Sequence, residues 1–291
     1  MEKIYLYALG SNLCFSLGSQ AYTHFSRKIS PTWMNLVKAS IASVFFLLSA
    51  LLMRQFQIPN LKIIASLCFS GALGLGLGDL FLLLSFKQIG PARTMMLFSF
   101  QPIIVGLLSF IFLGQTIDFQ KLWAILFFIV CLFIISFESF KKNGKWQLNG
   151  IVMAMLGLIL DAIGIIITRI VFDSSPLLYP LISNFYRTLG AILFFVALNF
   201  FRPIHLLKNF YTLNRQEKLL AILSPIIGTY MSLGLFLMAV QKGSLASISG
   251  IAISGTVFST LFECILKRRW PSSYFYFAFF FFLIGMKMIL F

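Results

Sequence analysis

The sequence predicts an all-α integral membrane protein with ten transmembrane helices, arranged as two inverted five-helix repeats. Three observations support this prediction: the composition, a series of apolar segments, and a repeated pattern of polar residues. Of the 291 residues, 59% are apolar and 11% are charged, whereas about a quarter of the residues in an ordinary soluble domain are charged. The composition therefore excludes a soluble globular domain and indicates a protein that lies in a membrane.

Ten apolar segments follow one another along the chain, and most of them are about 20 residues long. About 20 helical residues cross the hydrocarbon core of a bilayer. The segments are apolar at consecutive positions, whereas the strands of a membrane β-barrel alternate between apolar and polar residues. We therefore predict ten helices, at residues 4–23, 32–53, 63–86, 92–113, 122–137, 148–172, 177–200, 219–240, 244–266 and 272–290.

The polar residues of the second half repeat a pattern in the first half. Arg187 lies about 149 positions after Lys38, and each of the two has an asparagine three positions before it. Successive units of five helices must insert in opposite orientations. Inverted repeats are typical of secondary transporters, whose substrate site lies where the halves meet. We therefore predict two repeat units, residues 1–140 and residues 146–291.

Four ionisable residues lie deep inside predicted helices, where a charge is costly unless it faces a cavity or a partner. Lys38 and Asp79 both lie roughly 10 Å from one membrane face, and Asp161 and Arg187 lie at matching depths from the opposite face. We predict two buried ion pairs, Lys38 with Asp79 and Arg187 with Asp161. Such pairs either hold helices together or line a substrate cavity, where charges of both signs suit a zwitterion or a proton exchange.

Two predicted helices carry a flexible or kinked midpoint. Pro102 in the fourth helix leaves a carbonyl without its helical donor and bends the helix, and Gly255 occupies the corresponding place in the ninth helix. A flexible midpoint in both halves favours a substrate site near the bilayer centre, although a tolerated structural kink gives the same pattern. Gln101, beside the kink, is a candidate for substrate contact.

Three further residues complete the candidate substrate-binding or coupling site. Asn12 occupies the position in the first half that Asp161 occupies in the second half. Tyr186 and Tyr230 offer aromatic rings on which a substrate could stack. Close to these positions, the spacing of Ser70, Gly74 and Gly78 is the small-residue stripe that lets membrane helices approach closely.

Together these features resemble the ten-helix, EamA-type members of the drug/metabolite transporter superfamily. The resemblance implies a transporter with a central cavity lined by helices 1 to 4 and 6 to 9. The sequence departs from the family at Gln115, where the family often has a glutamate. The residues that carry the resemblance are Gly10, Ser11, Asn12, Lys38, Gly90, Pro91, Ala92, Pro102, Leu113, Gly114 and Arg187.

The sequence therefore predicts a secondary, ATP-independent transporter that moves a small polar metabolite by alternating access. An amino acid or a related zwitterion is the first candidate substrate. The alternatives are a channel or lipid scramblase and, less favoured, an integral-membrane lipid-modifying enzyme. An enzyme of that class needs a clustered acid/base or metal-binding set at one interface. The sequence contains no such set, so we predict no catalytic residue, no metal ligand and no cofactor.

The formal net charge of +15 comes from basic residues scattered over the loops, which is normal for a membrane protein and does not predict nucleic-acid binding. We expect a multi-pass protein of the plasma membrane, the inner membrane of a bacterium. It would contact the lipid bilayer and a small-molecule substrate, as a monomer or homodimer, with protons as a candidate coupling ion. The distribution of basic residues favours termini outside the cell, whereas the family resemblance favours cytoplasmic termini.

Overall fold

The structure of the protein is a computed structural model. It describes residues 2–98, 100–113, 147–243, 253–268 and 270–290, together with the isolated positions 123, 126, 127, 129, 130, 133, 134, 137, 138, 141, 248 and 251. Regular structure within these residues is entirely helical. The α-helices are α1 (Glu2–Lys28), α2 (Pro31–Leu52), α3 (Leu61–Gly71), α4 (Asp79–Ile89), α5 (Pro91–Phe98), α6 (Gln101–Leu113), α7 (Leu148–Ser174), α8 (Pro180–Phe201), α9 (Leu206–Tyr211), α10 (Arg215–Pro225), α11 (Ser232–Lys242), α12 (Ile253–Lys267) and α13 (Ser273–Leu290), and the π-helical segments are π1 (Ala72–Gly78) and π2 (Ile226–Met231).

Six helical stretches among the described residues are long and apolar enough to cross a membrane. The prediction of an all-helical, multi-pass membrane protein is therefore confirmed. The fifth predicted span, residues 122–137, lies largely outside the described residues, and the inverted ten-helix arrangement stays a prediction. The six stretches are Pro31–Leu52, Leu61–Ile89, Pro91–Phe112, Leu148–Ser174, Pro180–Phe201 and Arg215–Lys242.

Large apolar side chains cover much of the outside of the bundle. Leu52, Leu177, Phe200 and Phe201 are each between 82% and 86% exposed, and many other leucine, isoleucine and phenylalanine side chains are exposed beside them. Extensive apolar surface of this kind marks a face that contacts a partner or a membrane. The outside of the helix bundle therefore carries the apolar surface that contact with lipid requires.

Two of the long stretches contain a π-helical segment near the middle. The segment π1 joins α3 to α4, and π2 joins α10 to α11, about 154 positions later. A π-helical turn closes its hydrogen bonds over one more residue than an α-helix does and is frequently found at functional sites. Asp79 is the first residue after π1, and Ser232 is the first residue after π2. The apolar pattern of the sequence does not predict either segment.

Glycines bring α7 into close contact with α3 and π1. A methyl group at Gly78 would lie 3.2 Å from the carbonyl oxygen of Gly157, and one at Gly164 would lie 2.9 Å from the carbonyl oxygen of Ser70. The Ser70 hydroxyl donates to the carbonyl of Gly164 at 2.7 Å. The close packing predicted from Ser70, Gly74 and Gly78 is therefore confirmed.

A similar contact joins α1 to α10 and π2. A methyl group at Gly18 would lie 2.6 Å from the Cα atom of Gly228, and the Tyr22 hydroxyl donates to the carbonyl of Ser224 at 3.1 Å. Ser224 and Gly228 have the same four-residue spacing as the serine and glycine that pack against α7. Each π-helical segment therefore lies against a helix of the other half of the chain.

The fourth predicted helix is interrupted near its middle. Helix α5 ends at Phe98 and α6 begins at Gln101, and between them the N–H of Phe100 donates to the carbonyl of Leu97 at 3.0 Å. The interruption lies immediately before Pro102, where the sequence predicts a bend. The backbone of Pro102 lies in the first turn of α6, and its side chain lies outside the described residues.

A matching turn precedes α12 in the second half. The N–H of Ile251 donates to the carbonyl of Ile248 at 3.2 Å, and the N–H of Ser254 donates to the carbonyl of Ile251 at 2.9 Å. Gly255, the second predicted bend, follows this turn in the first turn of α12. At both turns the described backbone departs from the hydrogen-bond pattern of an α-helix. Both turns lie close to the interior of the bundle.

Candidate functional site

The interior of the bundle contains a cavity of about 100 Å³ lined by residues from both halves of the chain. Six residues that the sequence singles out as site candidates line it: Asn12, Lys38, Asp79, Gln101, Asp161 and Arg187. They come from α1, α2, α4, α6, α7 and α8, so the fold brings together residues that are far apart in the sequence. The rest of the wall is formed by Ser11, Phe15, Leu75, Leu82, Met95, Phe98, Gly228, Thr229, Ser232, Leu233 and Phe236.

Lys38 and Asp79 form an ion pair in the wall of this cavity. The Lys38 ammonium donates a hydrogen bond to Oδ2 of Asp79, and Lys38 is only 2% exposed. The ammonium also lies 5.5 Å from the centroid of the Tyr22 ring, within the range of a cation–π interaction. The predicted pair of Lys38 with Asp79 is confirmed.

Asp161 has a different partner from the one predicted. Its Oδ2 atom accepts a hydrogen bond of 2.9 Å from Nε2 of Gln101. Among the described residues no ion pair joins Asp161 to Arg187, so that predicted pair is wrong as a direct contact. The two charged groups nevertheless lie near each other, because a methyl group at Gly74 would be 3.5 Å from Oδ1 of Asp161 and 3.7 Å from Nη2 of Arg187.

Arg187 is a buried cation that forms no direct ion pair in the part of the chain that the structure describes. The residue is 1% exposed, and its Nε and Nη1 atoms have no hydrogen-bond acceptor among the described residues. Burying an ionised group costs several kcal/mol unless it is paired and hydrogen-bonded. The guanidinium therefore lies at the cavity with hydrogen-bonding capacity that no described residue uses.

Neutral polar groups from α1 contact the turn before α12 and the residue that follows π2. Nδ2 of Asn12 donates to the carbonyl of Ala8 at 2.9 Å and to that of Ile251 at 3.4 Å. The hydroxyls of Ser11 and Ser232 lie 3.2 Å apart. Sequence reasoning does not single out Ser11 for this contact. The sequence points to Ser232 through its position about 153 residues after Asp79. This distance is the offset between the two predicted repeat units.

Gly255 lies directly against the candidate site. A methyl group at this position would lie 3.1 Å from Oδ1 of Asn12 and 3.3 Å from Cε of Met95. The carbonyl of Gly255 accepts a hydrogen bond of 2.8 Å from the Ser16 hydroxyl. The absence of a side chain at Gly255 therefore allows α12 to approach α1 and α5 beside the cavity.

Tyr186 and Tyr230 are not among the residues that line the cavity. The Tyr230 and Ser49 hydroxyls lie 2.5 Å apart, and the Tyr186 hydroxyl donates to the carbonyl of Gln57 at 3.3 Å. Both contacts join the two halves of the chain between the cavity and the face where α2 ends and α8 begins. The geometry thus favours a role in closing that face over the stacking contact predicted from the sequence.

Polar contacts also join the two halves at the opposite face, where α1 ends. The ammonium of Lys28 lies 2.5 Å from Oε1 of Glu217, and Oε2 of Glu263 accepts a hydrogen bond of 3.2 Å from the N–H of Ala92. Two larger cavities, of about 390 and 540 Å³, lie at this face and share Arg27 and Glu263 in their walls. Contacts between the halves are therefore present on both sides of the central cavity.

Comparison with known proteins finds a family match over part of the chain. Residues 2–137 match the model of the EamA-like transporter family. The resemblance predicted from the residues is therefore confirmed, and the EamA family implies a membrane transporter of the drug/metabolite type. The long apolar helices among the described residues agree with a transmembrane protein.

The similarity in fold extends beyond the EamA match. A solved protein, titled only "Crystal structure of protein", has a TM-score of 0.70 with 14% sequence identity, over 99% of this chain and 96% of that chain. At this identity the likeness concerns the fold alone. No curated protein matches the chain. The EamA match therefore gives the transporter class, and the cavity residues are the basis for the proposals on substrate and mechanism.

Proposed function

We propose that the protein is a secondary, ATP-independent transporter that moves a small polar metabolite by alternating access. The observation that carries this proposal is the cavity inside an otherwise apolar bundle, with charged residues from both halves of the chain in its wall. Charged groups inside membrane-spanning helices are costly and mark substrate or ion pathways. An amino acid or a related zwitterion is the first candidate, because the cavity wall carries carboxylates as well as cations.

Alternating access would arise from rocking of residues 1–140 against residues 146–291. The proposal is supported by the position of the contacts between the halves, which lie on both sides of the cavity. Lys28 with Glu217 joins the halves at one face, and Ser49 with Tyr230 joins them toward the other. If the contacts at one face break while those at the other face are kept, the cavity opens to one side at a time. Transporters built from inverted repeats work in this way.

The coupling ion we propose is the proton. Asp161 supports this choice, because its carboxylate lines the cavity and is hydrogen-bonded by the neutral amide of Gln101. Asp79, by contrast, is engaged by Lys38. An imposed pH gradient should drive accumulation of substrate into liposomes, and accumulation that is indifferent to the gradient would exclude proton coupling. We place the protein in the inner membrane of a bacterium, as a monomer or homodimer.

The experiment that tests the transport function uses purified full-length protein in liposomes. A thermal-shift screen of metabolites would first identify solutes that stabilise the protein, and counterflow of those solutes would then be measured without ATP. Saturable uptake that is stimulated by unlabelled solute inside the liposomes is expected of a carrier. Uptake that does not saturate and is not stimulated would indicate a channel, and a strict requirement for an ATPase would contradict the proposal.

A further inference from the structure

Arg187 is held in place by close backbone contacts. It lies on α8, and a methyl group at Gly71 would lie 1.8 Å from the Arg187 carbonyl oxygen. Three positions later on α8, a methyl group at Gly190 would lie 1.9 Å from the carbonyl oxygen of Cys68. The backbone from which the arginine side chain extends is therefore packed directly against α3.

Arg187 makes no direct ion pair within the part of the chain that the structure describes, although the Asp161 carboxylate lies near it. Lys38 is neutralised by Asp79, and Asp161 accepts its hydrogen bond from Gln101. Nε and Nη1 of Arg187 have no acceptor among the described residues. A planar guanidinium presents its N–H groups in a fork that matches a carboxylate with two parallel hydrogen bonds.

We infer that Arg187 is the carboxylate-binding residue of the cavity and that the solute carries one negative charge there. This inference rests on the proposed transport function. A doubly charged phosphate would need a second available cation, and Lys38, the other cation of the cavity wall among the described residues, is already paired. Asp161 lies close to Gly74, as Arg187 does, and would repel a second negative charge. Much of the remaining wall is apolar, including Phe15 and Phe236, and suits an apolar body.

Three probes that share the 3-methylbutyl part of leucine test this assignment. They are leucine, which carries both charges, 4-methylpentanoate, which lacks the amine, and 3-methylbutylamine, which lacks the carboxylate. Both carboxylates should raise the melting temperature of the purified full-length protein in detergent as their concentration rises. The amine and inorganic phosphate should not. Stabilisation by the amine or by phosphate, or no stabilisation by either carboxylate, would overturn the assignment.

Variants of Arg187 make the test specific to this residue. Arg187→Gln should weaken binding of both carboxylates by about 10- to 150-fold, the range expected for hydrogen bonds to a charged group. Arg187→Lys keeps the charge but loses the fork, so it should bind more weakly than the native protein and more tightly than Arg187→Gln. Arg202→Gln, at an exposed position after α8, is the control and should bind like the native protein. Unchanged carboxylate binding in Arg187→Gln would refute the inference.

The outcomes separate this inference from the transport function. Carboxylate binding that depends on Arg187, without counterflow, would contradict transport and keep the subsite. Counterflow of a solute whose binding is independent of Arg187 would contradict the subsite and keep transport. If Arg187→Gln fails to fold, the comparison between Arg187→Lys and the native protein still decides, because equal affinities would refute recognition by the fork.

Discussion

Lys38 donates a hydrogen bond to Asp79 within the wall of the central cavity, while Arg187 in the same wall lacks an acidic partner among the described residues. Asp79 is the first residue after the π1 segment, and Lys38 lies on α2. The two buried cations of the cavity therefore differ in direct ion pairing, although they lie about 149 positions apart in the sequence.

Mutating both members of the Lys38–Asp79 pair should cost less stability than mutating one. Lys38→Met or Asp79→Leu alone leaves a buried charge without its partner, which costs about 3–5 kcal/mol. The double variant removes both charges and should recover much of that loss. Thermal unfolding of the four proteins in detergent measures the coupling. A double variant whose loss equals the sum of the two single losses would show that the residues do not interact.

Neutral substitutions of the two cations should have clearly unequal effects on the ligand-free protein. Lys38→Gln should lower the melting temperature, because it leaves Asp79 buried without its cation. Arg187→Gln should lower the melting temperature less or not at all, because Arg187 makes no direct ion pair among the described residues. Melting curves recorded without added carboxylates compare the two variants. Equal destabilisation would mean that the native protein compensates the charge of Arg187.

Asp161→Asn distinguishes a zwitterionic substrate from a simple carboxylate. The asparagine retains an oxygen that can accept from Gln101 but removes the negative charge. If Asp161 binds the amine of an amino acid, leucine binding should weaken about tenfold or more while 4-methylpentanoate binding is kept. Thermal shifts at increasing concentrations of both compounds provide the measurement. An equal loss for both compounds would count against the zwitterion as substrate class.

Gly190 and Gly106 form a matched pair for testing close helix contact. A methyl group at Gly190 would lie 1.9 Å from the carbonyl oxygen of Cys68, whereas no described residue lies within 4 Å of one at Gly106. Gly190→Ala should destabilise the protein by about 1–3 kcal/mol or more, because backbone must shift. Gly106→Ala should be neutral or stabilise by up to about 1 kcal/mol, because alanine favours helix. Thermal unfolding compares the variants, and equal effects would contradict the close contact.

Much of the candidate site could be predicted from the sequence because a charge inside an apolar helix is conspicuous. Lys38, Asp79, Asp161 and Arg187 all line one cavity. Their depth follows from the helical rise per residue, and for Lys38 and Asp79 the equal depth corresponds to a real contact. Apolar segments and buried charges were therefore sufficient to predict that these residues lie at one cavity.

The partner of Asp161 could not be predicted in the same way. Depth gives the position of a residue along the membrane normal but does not give the direction in which its side chain points around the helix. Gln101, from the interrupted fourth helix, donates to Asp161. The same limitation explains Tyr186 and Tyr230, which contact residues outside the cavity lining.

The π-helical segments add a second physical reason for these differences. A π-turn closes over one more residue than an α-turn, so it changes the directions of the side chains that follow. Asp79 and Ser232 directly follow such segments. Periodicity arguments that assume a continuous α-helix therefore fail at these residues, even where the span itself is predicted correctly.

Counterflow in liposomes tests the central claim most directly. The purified protein would be reconstituted without ATP, and uptake of the labelled carboxylate that stabilises it most would be measured with and without the same unlabelled solute inside. We predict saturable uptake that internal solute stimulates, that Arg187→Gln abolishes and that Arg202→Gln leaves unchanged. Uptake that does not saturate, is not stimulated by internal solute, or persists in Arg187→Gln would contradict a carrier whose cavity binds its substrate through Arg187.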